Sequence, residues 1–452
     1  MEFLPRLGAP MTGQSRSRKI WAMVEVGAFL FGLFVLGLLY GGYGSHNRWF
    51  PMPQIEHRFR ELGKMWDRAR GKLDTYESET GETQRVRVFQ PSAIAPGLTL
   101  VVEVNSAHKL SAALIDAAGR RRHRWELDWF KIWPNPNHLS SDWRPKSLPG
   151  TDIQGYYLAP NGDLTFNYNY SGLVQVDVCG KVKWRLPYRT HHSVWRDDQG
   201  AFWVLGLRYH ERHDPTFPNY QPPFHEDMIL KVSAEGALLS QTSIPALMRT
   251  LGLQGLMYPT SGGKTEVHGD VLHANDLKIF PRGLAPGFLQ PGDVMISLRD
   301  VNAILILTPD LKRLKRLIIG PFLRQHDPDF VDGDTISIFD NNNIGLARPR
   351  ASTRVIDYSL TDGATRVRFA GSPSLPFYTS EMGEHQLLPN GGMLLLEQER
   401  GRVLEVDRLG RPVWQYTNVI RPGVAASVDG ARRVAPSDFD QSRLPELTRA
   451  CS

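Results

Sequence analysis

RVLEVDRLGRPVWQY, residues 402–416, decides the fold. It reads as an alternating apolar strand, a tight polar turn around Gly410, and a second alternating strand. Glycine supplies the positive φ that a tight hairpin turn needs, with no Cβ to oppose it. The same unit recurs at AALIDAAGRRRHRWEL (112–127), LVQVDVCGKVKWRL (173–186), MILKVSAEGALLSQTSI (228–244), AILILTPDLKRLKRLI (303–318) and RVIDYSLTDGATRVRF (354–369). Gly119, Gly180, Gly236 and Gly363 hold the turn; the 303–318 copy uses Pro309-Asp310. Ahead of each of the last five hairpins lies a further turn and strand: APNGDLTFNY, RDDQGAFWVLG, QPGDVMISLRD, FVDGDTISIFD and LPNGGMLLLEQE. Leu98–Val104 leads the first more weakly. Three to four strands per copy, repeated six times, are the pattern of propeller blades. The expectation is an all-β, six-bladed β-propeller over residues 90–425. A β-sandwich is the competing architecture, but sandwiches do not usually repeat one hairpin six times.

Composition agrees. The 452 residues are 41% hydrophobic and 22% charged, with 41 Gly and 32 Pro. Such a chain is globular and favours short strands and turns over helical bundles. The net charge of +6 is modest and concentrated toward the N-terminus, and no nucleic-acid motif is present. Cys179 and Cys451 lie in no C-x-x-C, so a thiolate zinc site and a disulfide framework both lack support. A bond between the two would tie a propeller strand to the chain end, and spacing alone argues for it only weakly.

Residues 21–43 are apolar apart from Glu25, and Arg16, Arg18 and Lys19 precede them. As a helix this run reaches about 34 Å at ~1.5 Å per residue, enough for a ~30 Å hydrocarbon core. The basic flank leaves the N-terminus (1–19) in the cytoplasm and sends the rest outward. A cleaved signal peptide is the competing reading. The run exceeds a usual h-region and shows no convincing A-x-A site, so the expectation is an uncleaved anchor at 20–43. Residues 54–74 have helical spacing and alternating charges, which predicts a juxtamembrane helix within a stalk over 44–89. Residues 426–452 read as a C-terminal tail.

Histidines open four of the repeats, at T-H-H-S (190–193), L-H-A-N-D (272–276), Q-H-D-P-D (325–329) and E-H-Q-L (384–387). They are expected in the loop entering the inner strand of each blade, taken as the strand after the glycine turn. Equivalent loops converge on the axis of a propeller, so His192, His273, His326 and His385 are expected at one mouth. Arg299, in S-L-R-D-V-N, is read as lying on the inner strand of the fourth blade and pointing the same way. Imidazoles serve as bases or nucleophiles near neutral pH, and a guanidinium pairs with sulfuryl or phosphoryl oxygens. Singly, each histidine is more often a satisfied structural residue.

These pieces resemble the bacterial arylsulfotransferase family. The matching runs are T-H-H-S, D-V-L-H-A-N-D, M-I-S-L-R-D-V-N-A-I-L-I-L, Q-H-D-P-D-F-V-D-G-D-T-I-S-I-F-D-N and the stretch from L-L-P-N-G-G to P-V-W-Q-Y. They span about 150–420 in the family's order. The resemblance implies transfer of a sulfuryl group from an aryl sulfate donor to a phenolic acceptor, without a nucleotide or other cofactor. It makes His326 the residue transiently sulfated, His192 and His273 the acid/base and positioning histidines, and Arg299 and Asn275 the holders of the sulfuryl oxygens. His191, His385 and Asn341 complete the expected substrate-binding set. His385 stands outside the family's expected positions, as an added group or as a hydrogen bond to a neighbouring blade. The anchor and stalk replace the extra N-terminal β-domain of well-known secreted members, so the propeller is expected outside an inner (cytoplasmic) membrane. No metal is expected: His210, His213 and His225 lie in an irregular Pro-rich insertion, and D-P-D-F-V-D-G-D misses the EF-hand spacing and reads as turn chemistry. The rival function is a non-catalytic anchored propeller that binds a glycan, a lipid-linked ligand or a protein. Oligomeric state is not legible.

Overall fold

The structure is a computed structural model that describes residues 14–46, 73–258, 266–345 and 352–451. It divides into two compact units, 1–74 and 75–452. In the first, an α-helix spans Gln14–His46. Within it Met23–Tyr43 is long and apolar enough to cross a membrane, and none of that stretch is buried against protein. Most of the expected juxtamembrane helix, residues 54–72, lies outside the described residues.

The second unit is a β-propeller. Among the described residues it contains six sheets of four or five strands, antiparallel but for the pairing of Tyr220–Val232 with Val267–Gly269, and one three-stranded sheet. The six hairpins read from the sequence are the third and fourth strands of the blades. For example, Arg402–Val406 pairs with Pro412–Thr417, and Leu110–Ile115 with Arg121–Glu126. Asp116, Asp177 and Asp407 brace three of the turns, each carboxylate accepting two backbone N–H groups at 2.8–3.0 Å. The glycine closing each of these turns sits at φ between 75° and 79°.

Middle strands such as Leu98–Val104, Val294–Leu298 and Ala303–Leu307 are buried at every residue. Neighbouring blades cover both of their faces. Outer strands such as Arg121–Glu126 are mostly exposed. At roughly 1.5–3 kcal/mol per fully buried aliphatic side chain, these middle strands carry most of the hydrophobic stabilisation.

The inner strands differ from expectation. The innermost strand of each blade precedes the glycine turn and contains or directly follows the histidine. Thr190–Arg196, Ala274–Ile279, His326–Phe330 and His385–Leu387 are inner strands; the strand after the turn, such as Thr335–Asp340, is second. The other inner strands are Ile153–Leu158 and Val428–Val434. Five of the six carry a register shift, at Ile153/Gly155, His191/Val194, Ala274/Asp276, His326/Asp329 and Val428/Gly430. A bulge breaks the alternation by which strands are recognised, and it re-aims the bulged side chain.

The expected boundaries at 90 and 425 each cut through the propeller. Val428–Val434, from the presumed tail, pairs with Leu98–Val104 and closes the ring. Val86–Val88, from the presumed stalk, adds an outermost strand to the sixth blade. The cysteines also depart from expectation: Cys179 and Cys451 form a disulfide with Cα atoms 5.0 Å apart, across 272 residues of sequence. It fastens the chain end to the turn between the third and fourth strands of the second blade.

Candidate functional site

A cavity of about 110 Å³ runs among the inner strands, and His192, Asn275, Lys278, His326, Glu384 and His385 are among its walls. Beside it stand His273 and Arg299. The rings of His192 and His273 meet edge-on with centroids 5.0 Å apart. The carbonyl of His273 accepts the backbone N–H of Arg299 at 3.1 Å. Burial pushes the His192 imidazole far below its ordinary range, and His273, His191, His326 and Arg299 all act in the same direction. Five groups from three blades therefore share one electrostatic environment.

Backbone conformation sets these side chains. His192 and His273 adopt φ of 52° and 48°, a region that non-glycine residues occupy uncommonly. His192 is held there by hydrogen bonds on both sides. Its N–H donates to Gln154 Oε1 at 3.2 Å, and its carbonyl accepts from Asn167 Nδ2 at 2.6 Å. Gly155 makes the arrangement possible, since a Cβ there would lie 1.9 Å from the His192 oxygen.

His326 is 4% exposed and has its two ring nitrogens in different roles. Nδ1 lies 2.7 Å from Asn341 Oδ1 and 3.1 Å from the Arg324 carbonyl, both acceptors, so Nδ1 carries the proton. Asn341 is oriented by donating its own amide to the carbonyls of Thr379 and Met382 at 3.1 and 2.8 Å. Nε2 is left as the lone pair, and the Met382 N–H approaches it at 3.2 Å. Burial brings the His326 pKa down to about 3; the Asn341 hydrogen bond opposes this, while Arg299 and His273 add to it. Gln325 locks the segment to the fourth blade by donating its Nε2 toward Ser297 Oγ and the carbonyls of Leu298 and Ala303.

Arg299 is not on the inner strand as expected. It occupies the turn just after the second strand, Val294–Leu298, where the chain reaches the mouth. Its Nε donates to Asp300 Oδ1 at 2.7 Å, which orients the guanidinium. Asn275 lines the cavity, and its Nδ2 donates one N–H to the Gln325 carbonyl at 2.7 Å. The second N–H of that amide remains a donor for a sulfuryl oxygen, while Oδ1 has no hydrogen-bond partner among the described residues. His191 and Asn341 do not line the cavity; each stands behind a histidine. His191 is 1% exposed, lies against Tyr170, and has Nδ1 2.7 Å from His192 Nδ1. His385 bonds a neighbouring blade through Nε2 and Ser337 Oγ, 2.7 Å apart.

Several polar residues had no place in the sequence reading. Asp270 faces His273, its Oδ2 2.5 Å from Nδ1, and the D-x-x-H spacing was the available signal. Deeper in the channel the Lys278 ammonium lies 2.6 Å from both Asp327 and Asp329 and 3.3 Å from Asp276. Burial pulls Lys278 down, but these carboxylates outweigh it and hold the ammonium well above its usual range. Asp327, Asp329 and His385 are close enough together to hold a cation, and the Lys278 ammonium already contacts both carboxylates. D-P-D-F-V-D-G-D is therefore turn chemistry only in its second half, where Asp332 Oδ1 accepts the Asp334 N–H at 2.8 Å. Burial raises Glu384, which accepts from the Tyr156 hydroxyl at 2.9 Å, to about 8. His210 bonds Glu226 and stacks on Phe224, while His225 turns toward Asp270.

A family model described as arylsulfotransferase (ASST) matches residues 161–419. No curated protein matches the chain. Similar solved structures include a protein of unknown function from Bacteroides caccae (13% identity, TM-score 0.45, covering 74% of this chain and 98% of that one). A streptogramin B lyase shares 10% identity at TM-score 0.37, covering 76% of this chain and 89% of its own. BamB from Moraxella catarrhalis shares 10% at TM-score 0.33, covering 78% and 96%.

Proposed function

This chain belongs to the arylsulfotransferase family, and from that premise we propose that it moves a sulfuryl group from an aryl sulfate to a phenol through a sulfated His326. One observation carries the proposal. Asn341 accepts a hydrogen bond from the Nδ1–H of His326, so Nε2 keeps its lone pair beside two further imidazoles and a guanidinium. Neutral imidazole is a competent nucleophile, and a covalent intermediate divides one difficult transfer into two easier ones.

In the first half-reaction Nε2 of His326 bonds to sulfur and the S–O bond to the departing phenol breaks. In the second a phenol oxygen takes the sulfuryl group and Nε2 regains its lone pair. Arg299, oriented by Asp300, stabilises charge on the sulfuryl oxygens. The Met382 N–H, displaced from Nε2 by the incoming sulfur, is a second donor for those oxygens. His192 and His273 handle the phenolic proton. The helix at Met23–Tyr43 anchors the chain in the inner membrane with the propeller outside, where a disulfide such as Cys179–Cys451 persists.

Incubation with a chromogenic phenyl sulfate, followed by intact-mass measurement, tests this reading. The expected result is an adduct of about 80 Da, the SO₃ group carried by the nucleophile, which a phenol acceptor removes and which His326→Ala never forms. Neither adduct nor phenol release from any aryl sulfate would refute it.

A further inference from the structure

Asp270 lies against the His273 ring. Its Oδ2 lies 2.5 Å from Nδ1 of His273 and 3.5 Å from Nδ1 of His225. Burial pushes the Asp270 carboxyl up, but hydrogen bonds from the two imidazoles outweigh burial and hold it well below the usual carboxylate range. An ionised carboxylate only accepts, so Nδ1 of His273 is the donor. Nε2 of His273 has no hydrogen-bond partner among the described residues, although it is buried. The backbone of His273 is fixed as well, at φ 48° with its carbonyl bonded to Arg299. The ring thus has one nitrogen tethered to a carboxylate and the other free, on the side chain that meets His192 edge-on.

We propose that Asp270 is the positioning residue that makes His273 the group delivering and recovering the phenolic proton. The proposal rests on the sulfuryl-transfer reading above and extends it. As the S–O bond breaks and the bond from sulfur to His326 Nε2 forms, the departing phenolate oxygen takes the proton from Nε2 of the His273 imidazolium. His273 is left neutral, with Nδ1–H still on Asp270. In the return half the acceptor phenol gives its proton to that same Nε2. Its oxygen then bonds sulfur, and the bond from sulfur to His326 breaks. Asp270 stays ionised throughout and offsets the imidazolium charge. An amide in its place can donate to Nδ1, which favours the neutral tautomer with its proton on Nε2 and removes the acceptor for the second half.

The test compares Asp270→Asn, Asp270→Glu, His273→Ala and the Asp270→Asn/His273→Ala double variant in the full-length chain, across phenyl sulfates of graded leaving-group basicity. General acid catalysis matters most for poor leaving groups. Asp270→Asn is expected to lower kcat/KM by roughly 10²-fold for unsubstituted phenyl sulfate, and far less for a nitrophenyl sulfate. Asp270→Glu should recover part of the loss, and the double variant should be no worse than His273→Ala. Equal losses across the series, or losses that multiply in the double variant, would overturn the proposal. A second readout does not need turnover. Proton NMR of the full-length chain should show a far-downfield, exchange-protected imidazole N–H that is absent from both Asp270→Asn and His273→Ala. Its absence from the unsubstituted protein would refute the Asp270–His273 pair. Wild-type protein that shows this proton but transfers no sulfuryl group would instead refute the function proposed above.

Discussion

An ordinary imidazole at pH 5 would be about 97% protonated, leaving about 3% as a nucleophile. His326, with its pKa brought down to about 3 by burial, stays about 99% neutral at that pH. The two cases differ about thirtyfold in the rate of sulfuryl uptake at pH 5. The sign follows from the inert form being the protonated one: reactivity is lost only as pH falls through the folded-state pKa. A rapid-quench burst of phenol release from a nitrophenyl sulfate isolates this step, because such a leaving group departs without a proton. Between pH 7 and 5 the burst rate is expected to be flat. Asn341→Asp sets a carboxylate where an amide oxygen now lies 2.7 Å from Nδ1, and a carboxylate favours the imidazolium. That variant should gain an acid limb inside the same window. A wild-type acid limb near pH 6.5, or identical profiles for wild type and Asn341→Asp, would refute the reasoning.

Arg299→Ala is expected to lower kcat by roughly 10²–10³-fold, as for loss of a fixed donor to developing charge, with steady-state turnover as the measure. Gly155→Ala forces a methyl against the His192 carbonyl, since the built Cβ lies 1.9 Å from that oxygen; a stability loss of about 1–3 kcal/mol and a slower burst should appear together. Lys278→Met strips the ammonium from the Asp276, Asp327 and Asp329 carboxylates. Denaturant unfolding should register a loss of about 3–5 kcal/mol, because uncompensated buried charge remains. Cys179→Ser opens a closure spanning 272 residues and is expected to cost about 2–5 kcal/mol, with added reductant reproducing the shift in wild type but not in the variant.

The outer three strands of every blade were legible because their chemistry is local. Apolar side chains fill both faces of the middle two, and an acceptor at Asp116, Asp177 or Asp407 with a glycine three residues on closes the turn to the third. The inner strands were not legible as strands. Their bulges at His191/Val194, Ala274/Asp276 and His326/Asp329 break the alternation, and polar residues replace apolar ones where they face the axis. The two edge strands were missed for another reason: Val86–Val88 and Val428–Val434 pair with partners hundreds of residues away in sequence.

For the site, residue type and order pointed to His192, His273, His326 and Arg299, and the fold gathers all four. Sequence could not divide those that face the cavity from those that stand behind them. His191 and Asn341 are of the same residue types as cavity residues, yet His191 Nδ1 meets His192 and Asn341 Oδ1 meets His326. Nor could it find the carboxylate behind His273 or the cage around Lys278, since a short spacing and a run of aspartates occur in many turns. Periodicity and turn chemistry act over a few residues, so the chain by itself determined the blades and the candidate chemistry. Which nitrogen of each imidazole is free depends on where its acceptor lands, Asp270 against His273 and Asn341 against His326, and that was decided only by the three-dimensional course of the chain.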